Sequence, residues 1–258
     1  MLPSTHEAFL RDRRSAHTAF TTYIMDKVKT GKTTITIGTH HEKFHADELM
    51  ACVALANFFD VIGERLGTTI NWEVHRIARN DQPTLDAMDI LVDVGREYDP
   101  AKGRFDHHHF QQGNEPRRID RYNRPDVELS SFGMVWHACG LFVTGEAFSN
   151  NDLDAPIYDH ISWILVRGVD ASDNGYVTSR SFTERKGDDA KKTLYGPMMH
   201  ISKLIGLANG TDIHDDEEQL RRFMRELEVR RYDFEKILED AQSFVTNQEK
   251  VRTAVEAQ

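Results

Sequence analysis

The run DILVDVG, residues 89–95, decides how the rest of the chain is read. Its apolar residues do not alternate with polar ones, as expected of a short strand buried on both faces of a parallel sheet. Asp93 interrupts it. A carboxylate in such a run is costly unless it is paired or holds a metal, or unless it stands at the strand end and bonds the following turn.

Working outward, TTITIG (33–38) alternates β-branched residues and reads as a strand. ADELMACVALANFFDVIGERLG reads as a helix, with Leu49, Cys52, Val53, Ala56 and Phe59 on its apolar face. TINWEVHRI is a further strand, and residues 5–30 form a helix ended by Gly31. This order predicts an α/β domain with a largely parallel sheet and flanking helices. RFDHHHFQQGNEPRRIDRYNRPD reads as loop, punctuated by Gly113, Pro116 and Pro125. LSSFGMVWHACGLFV and DAPIYDHISWILVRGVDASDNG read as helices, the second capped by Asp154.

The expected organisation is an N-terminal helix (1–31), a metal-binding catalytic domain (32–180), a polar linker (181–193) and a small C-terminal helical region (194–258). In that last region Leu220, Phe223, Met224, Leu227, Phe234, Leu238, Ala241 and Val245 trace one apolar stripe, read as packing on the domain or, alternatively, as a homodimer face.

With 258 residues, 39% of them hydrophobic, the chain can bury a substantial core. Its net charge of −10 argues against the basic stripe of a duplex DNA binder, but not against a substrate held by cations. Cys52 and Cys139 lie in apolar stretches and read as buried thiols in a reducing compartment. The start of the chain lacks the apolar core of a secretory signal. The longest apolar run is about half of the roughly 20 residues a spanning helix needs. A soluble, cytoplasmic protein with no membrane partner is expected.

Four segments concentrate metal-ligating side chains. GTHHEKFHADE (38–48) carries His40, His41, His45, Asp47 and Glu48 between a strand and a helix, where α/β sheets gather ligands. Asp47 and Glu48 also suit a helix first turn, but capping does not explain three histidines. The other segments are Asp93, the Asp106–His109 stretch, and GVDASDNG with Asp170 and Asp173. By itself the last reads as an Asn-Gly helix exit. Together they offer more ligands than one zinc ion needs. Imidazole and carboxylate suit Mn, Zn or Fe. A pair of ions can polarise a phosphoryl oxygen and activate water.

The segments IGTHHEKFHADELMAC, DILVDVGREYDPAKGRFDHH, ELSSFGMVWHACG and VDASDNG resemble, in order over roughly residues 35–177, the MYG family (UPF0160, also called metal-dependent protein hydrolases) of the DHH phosphoesterase superfamily. The resemblance implies a DHH-type α/β fold and two divalent ions, Mn first, with Zn, Mg or Fe as alternatives. It implies hydrolysis of phosphodiesters, as a 3′-to-5′ exonuclease or nuclease on single-stranded RNA, an oligonucleotide or a nucleotide. Carried over by position, His40 and His45 would bind the first ion and Asp47 the second. Asp93 would bridge both, and His107 with Asp170 would complete the second. His108 would face the substrate phosphate, and Asp106 would orient a neighbouring histidine. Asp173 has no role in this mapping. The basic run after the DHH motif offers Arg117, Arg118 and Arg121 to substrate phosphates; a solvated loop is the competing reading.

Two other classes compete. FHADE after a strand loosely resembles the metal turn of zinc-dependent deacetylases, an amide-hydrolase reading separable by a metal count. A non-catalytic metal-binding protein is the third.

Overall fold

The computed structural model describes residues 5–108, 117–119, 125–146, 155–176, 183–185, 191–193, 201–211 and 214–256, with backbone alone for 117–119, 125–126, 183–185 and 191–193. Helix α1 (His6–Lys29) leads into β1 (Thr34–His40), then α2 (Ala46–Leu66), β2 (Asn71–Ile77), the short α3 (Gln82–Ala87) and β3 (Ile90–Val92). A tight hairpin, β4 (Tyr98–Asp99) and β5 (Arg104–Phe105), completes a five-stranded sheet of order β2-β1-β3-β5-β4. β1 runs parallel to β2 and β3, and β3 runs parallel to β5; only the edge strand β4 is antiparallel. The sheet is therefore mixed and mostly parallel, as the sequence predicts.

Burial explains the layering. Ile35 and Ile37 of β1, with Ile90 and Val92 of β3, join the main core. That core also takes α1, α2 and α4 (Ser131–Val143), and every residue of α4 is buried. The other face carries a small cluster of Ile77, Leu85, Leu91 and Val94, with α3 over it. Asp89, just before β3, ties α1 to the sheet. Lys27 Nζ lies 2.9 Å and Lys32 Nζ 2.6 Å from its carboxylate, and the Thr36 N–H donates to it at 2.9 Å.

Beyond the sheet come β6 (Arg117–Ile119) and β7 (Pro125–Glu128), an antiparallel pair inside the stretch read as loop. The helix read over 154–175 is α5 (Pro156–Ile161), a π-helical turn over Ser162–Val166, and α6 (Arg167–Asp173). Asp154, its expected cap, lies outside the described residues. The stretch read as a linker contains an antiparallel pair, β8 (Thr183–Arg185) and β9 (Lys191–Thr193). In the C-terminal region, α7 (Ile201–Ala208) and α8 (Asp216–Glu256) add Ile205, Phe223, Leu227, Phe234 and Ala241 to the main core. Cys52 and Cys139 are both free and buried. Among the described residues, no helix is long and apolar enough to cross a membrane.

Candidate metal centre

β1, β3 and β5 are parallel neighbours, so their carboxyl ends lie side by side. The first cluster follows β1, Asp93 follows β3, and Asp106 follows β5. Topology thus gathers three segments that are remote in sequence.

Asp93 lies at the centre. Its Oδ2 is 3.2 Å from His40 Nε2, and its Oδ1 is 3.2 Å from His108 Nδ1 and 3.7 Å from His107 Nε2. Burial works to raise its pKa, but the hydrogen-bonding and charge of His108 and His40 overrule that and hold it below the usual carboxylate range. His40 is buried. Its Nδ1 sits 2.8 Å from the His41 carbonyl, which can only accept, so Nδ1 carries a proton and Nε2 is left to the site. Nε2 is 3.1 Å from Glu48 Oε1. Burial opposes charge on His40, yet Asp93 and Glu48 push its pKa up to about 10.

His45 caps α2 and is exposed; its N–H donates to Glu48 Oε1 at 2.9 Å. Asp47, in the first turn of α2, is fully buried. It accepts N–H groups from Ser131 at 3.0 Å and Phe132 at 2.7 Å, at the N-terminus of α4. Burial, then Asp173 and Asp93, drive its pKa well above the ordinary value. Asp106 accepts the Arg96 N–H at 2.7 Å and holds His108 through both its backbone N–H (2.9 Å) and Nδ1 (2.8 Å). Asp106 and Asp93 raise the His108 pKa to about 10, against the smaller effect of burial.

Among the described residues, three overlapping ligand groups result: His40, His45, Glu48 and Asp93; Asp93, His107 and His108; and Asp47, His107 and Asp173. Asp170 belongs to none of them. Its Oδ1 accepts from Ser130 Oγ at 2.8 Å and from the Ser130 N–H at 3.2 Å. Asp173, left without a role by the sequence, has Oδ2 3.1 Å from His107 Nε2. Arg117 and Arg118 fall on β6, whose side chains are not described; Arg121 and His109 lie outside the described residues.

The residues fit a metal. Among the described residues, four buried atoms in these groups, His40 Nε2, Glu48 Oε2, Asp93 Oδ1 and His107 Nε2, make no well-aligned hydrogen bond; three of them only approach a neighbouring carboxylate or imidazole. Buried polar atoms are rarely left so, and imidazole and carboxylate donors converging in this way are what a divalent cation takes up. A cleft of about 1000 Å³ opens over the ligands, lined by Lys43, His45, Arg79, Arg96 and His108 among others. A smaller one of about 550 Å³ reaches Asp47 and Asp173 beneath α7.

Fold and site together define an α/β protein with a candidate divalent-metal centre at the carboxyl ends of parallel strands. Residues 36–258 match the profile described as "Uncharacterised protein family (UPF0160)", and the chain belongs to this family, the MYG family. It is 34% identical over 143 residues to "MYG1 protein C27H6.8" of Caenorhabditis elegans, covering 54% of this chain and 38% of that protein. It is 27% identical over 201 residues to "MYG1 exonuclease" of Homo sapiens, covering 77% of this chain and 48% of the human protein. Against "MYG1 exonuclease" of Bos taurus it is 32% identical over 142 residues, 54% of this chain and 35% of the bovine protein. The chain thus spans about half the length of these relatives or less. No solved structure matches.

Proposed function

We propose that this chain is a metal-dependent phosphoesterase of the DHH type, acting as a 3′-to-5′ nuclease on single-stranded RNA or short oligonucleotides. The observation that carries the reading is the convergence around Asp93 of buried imidazole and carboxylate atoms, four of which make no well-aligned hydrogen bond. The exonuclease names of the human and bovine relatives support it.

His40, His45, Glu48 and Asp93 would hold one ion; Asp93, His107, Asp47 and Asp173 would hold a second. Asp93 would be the carboxylate shared between them. Mn suits this oxygen-rich, imidazole-containing set, with Zn, Mg or Fe as alternatives. Bound there, such ions supply the charge that polarises a phosphoryl oxygen and activates water.

The protein's own groups do the positioning. His108, kept protonated by Asp106 and Asp93, offers a cation to a phosphate at the cleft wall. Asp106 fixes that residue through its backbone N–H and its ring Nδ1. Lys43, Arg79 and Arg96 give the same cleft further positive charge in an acidic chain, which suits a polyanionic single strand. Three overlapping ligand groups favour this over a single-zinc amide hydrolase.

The test is hydrolysis of short single-stranded RNA and of bis-p-nitrophenyl phosphate with Mn²⁺, alongside a metal count. Asp93→Ala should lose at least about 100-fold in rate, the upper end expected for disturbing a metal site. Equal rates for wild type and variant would overturn the reading. One tightly bound Zn with amide hydrolysis would favour the deacetylase-like alternative.

A further inference from the structure

Among the described residues, three that are not glycine adopt left-handed backbone: Glu42 (φ 69°), Asp93 (φ 57°) and Arg96 (φ 54°). All three lie in the loops after β1 and β3 that carry the ligands. L-residues occupy this region at a cost, and persist there only when the surroundings over-determine them.

Each of the three is tethered through a main-chain atom. Arg76 Nη2 donates to the Glu42 carbonyl at 2.8 Å, and Arg79 Nη1 donates to the Asp93 carbonyl at 2.8 Å. The Arg96 N–H donates to Asp106 Oδ2 at 2.7 Å. Two of the tethers are therefore arginines from one strand end, Arg76 within β2 and Arg79 just beyond it. β2 itself supplies no member of the ligand groups.

The two arginines are held differently. The Arg76 guanidinium lies 5.5 Å from the Phe44 ring centroid and 5.0 Å from that of Phe223, which comes from α8. The rings of Phe44 and Phe223 meet edge to face. Arg76 is thus wedged behind the β1 loop by the C-terminal helix. Arg79 is about half exposed and lines the larger cleft, with Nη2 3.8 Å from Asp93 Oδ2.

We propose that Arg76 and Arg79 are positioning residues, a clamp from β2 that holds the two ligand loops in the left-handed turns the metal centre requires. The inference rests on the metal reading of the ligand groups. A left-handed residue turns its carbonyl out of the strand ladder, where it needs a donor from elsewhere. The planar arginine fork supplies one with little loss of freedom. Arg76 fixes the turn between His40 and His45; Arg79 fixes the turn that aims the Asp93 carboxylate.

The clamp predicts a specific suppressor. Glycine adopts left-handed backbone at no steric cost, so Glu42→Gly relieves the strain that Arg76 holds in place, although the carbonyl keeps its need of a donor. Glu42 is in none of the ligand groups, so the change spares the donors.

The experiment titrates metal-free full-length chain with Mn²⁺ by calorimetry, with circular dichroism confirming the fold. Arg79→Ala and Arg76→Ala should each weaken Mn²⁺ binding about 10-fold or more, as loss of a group orienting metal ligands does. Arg79→Lys should recover part of that loss. Glu42→Gly alone should bind like wild type, and in the Arg76→Ala background it should recover part of the lost affinity. If Arg76→Ala alone does not fold, the double variant must show a folded circular dichroism spectrum with a melting transition, and Arg79→Ala carries the affinity test. Arg79→Ala binding Mn²⁺ as wild type does, or Glu42→Gly giving no recovery, would overturn the clamp and leave the metal reading standing. A wild type that binds no Mn²⁺ would overturn the metal reading, and the clamp's purpose with it.

Discussion

Without metal, the proton on His40 takes the place of the cation. Its pKa, raised from 6.5 to about 10, makes this measurable. A histidine whose folded pKa exceeds its unfolded value contributes stability that is complete below about 6.5 and is lost as pH rises towards 10. One proton gives about 1.4 kcal/mol per pH unit inside that window. For a chain of this size that is about 3–6 °C of melting temperature per pH unit. Asp47, raised by burial and by Asp173 and Asp93, acts in the same direction. His108 does too, although its half-exposed ring weakens the effect. The assay is thermal melting at pH 6.5, 7.5 and 8.5, once in chelator and once with saturating Mn²⁺. In chelator the melting temperature should fall across the series. With Mn²⁺ it should hold nearly flat, because the ligand atom no longer carries the proton. His40→Gln in chelator should lose about one proton's worth of the slope. Coincident chelator slopes for wild type and His40→Gln would refute the reasoning.

Two further outcomes test how the scaffold supports the site. Asp89→Ala should destabilise the protein by about 3 kcal/mol, as loss of a buried carboxylate paired with two lysines does. Burial works against the charge on Asp89, but Lys32, Thr36 and Lys27 lower its pKa to about 2. Its contribution is therefore present above about pH 4 and lost as pH falls towards 2, which urea titrations at pH 3 and 6 would separate. Gly133→Ala would put a Cβ 2.4 Å from Asp170 Oδ1, a short, buried side chain already held by Ser130. Such overpacking should cost about 1–3 kcal/mol; an unchanged denaturation midpoint would show that Asp170 can yield.

Much of the fold is legible in the sequence because its main elements carry period. TTITIG alternates, DILVDVG is apolar without alternation, and α2 repeats its apolar face at helical spacing. β4 and β5 have two residues each, too few to show any alternation, so the DHH motif reads as loop although it directly follows a sheet strand. The candidate ligands are legible as residue types, but their partners are not. Asp170 and Asp173 lie three apart on α6, so both can face the same side. Asp173 meets His107, while Asp170 accepts from Ser130, 40 residues away, and neither partner is visible in the local sequence. Glu48 reads as a helix-start residue, and it does accept the His45 N–H, yet the same carboxylate also approaches His40. Arg76 and Arg79 leave no signal beyond two arginines at a strand end, because the turns they hold are built on Glu42 and Asp93 rather than on glycine.

The buried carboxylates divide by how the fold satisfies them. Asp47 has the N–H groups of α4, Asp106 has the Arg96 N–H and His108, and Asp170 has Ser130. Each can stay folded without a cation, since a hydrogen-bonded buried charge is far less costly than a bare one. Asp93 is different: among the described residues its Oδ1 makes no well-aligned hydrogen bond, its backbone is left-handed, and three histidines surround it. Its charge is met by His40 and His108 and not by backbone N–H groups, so the demand for positive charge centres on one residue just beyond the central strand β3. On the proposed reading, a cation would replace the protons that His40 and His108 hold beside Asp93, whereas Asp47 already accepts N–H groups from α4. The helix that supplies those donors, α4, gives the second ligand group a fixed wall whether or not a cation is bound.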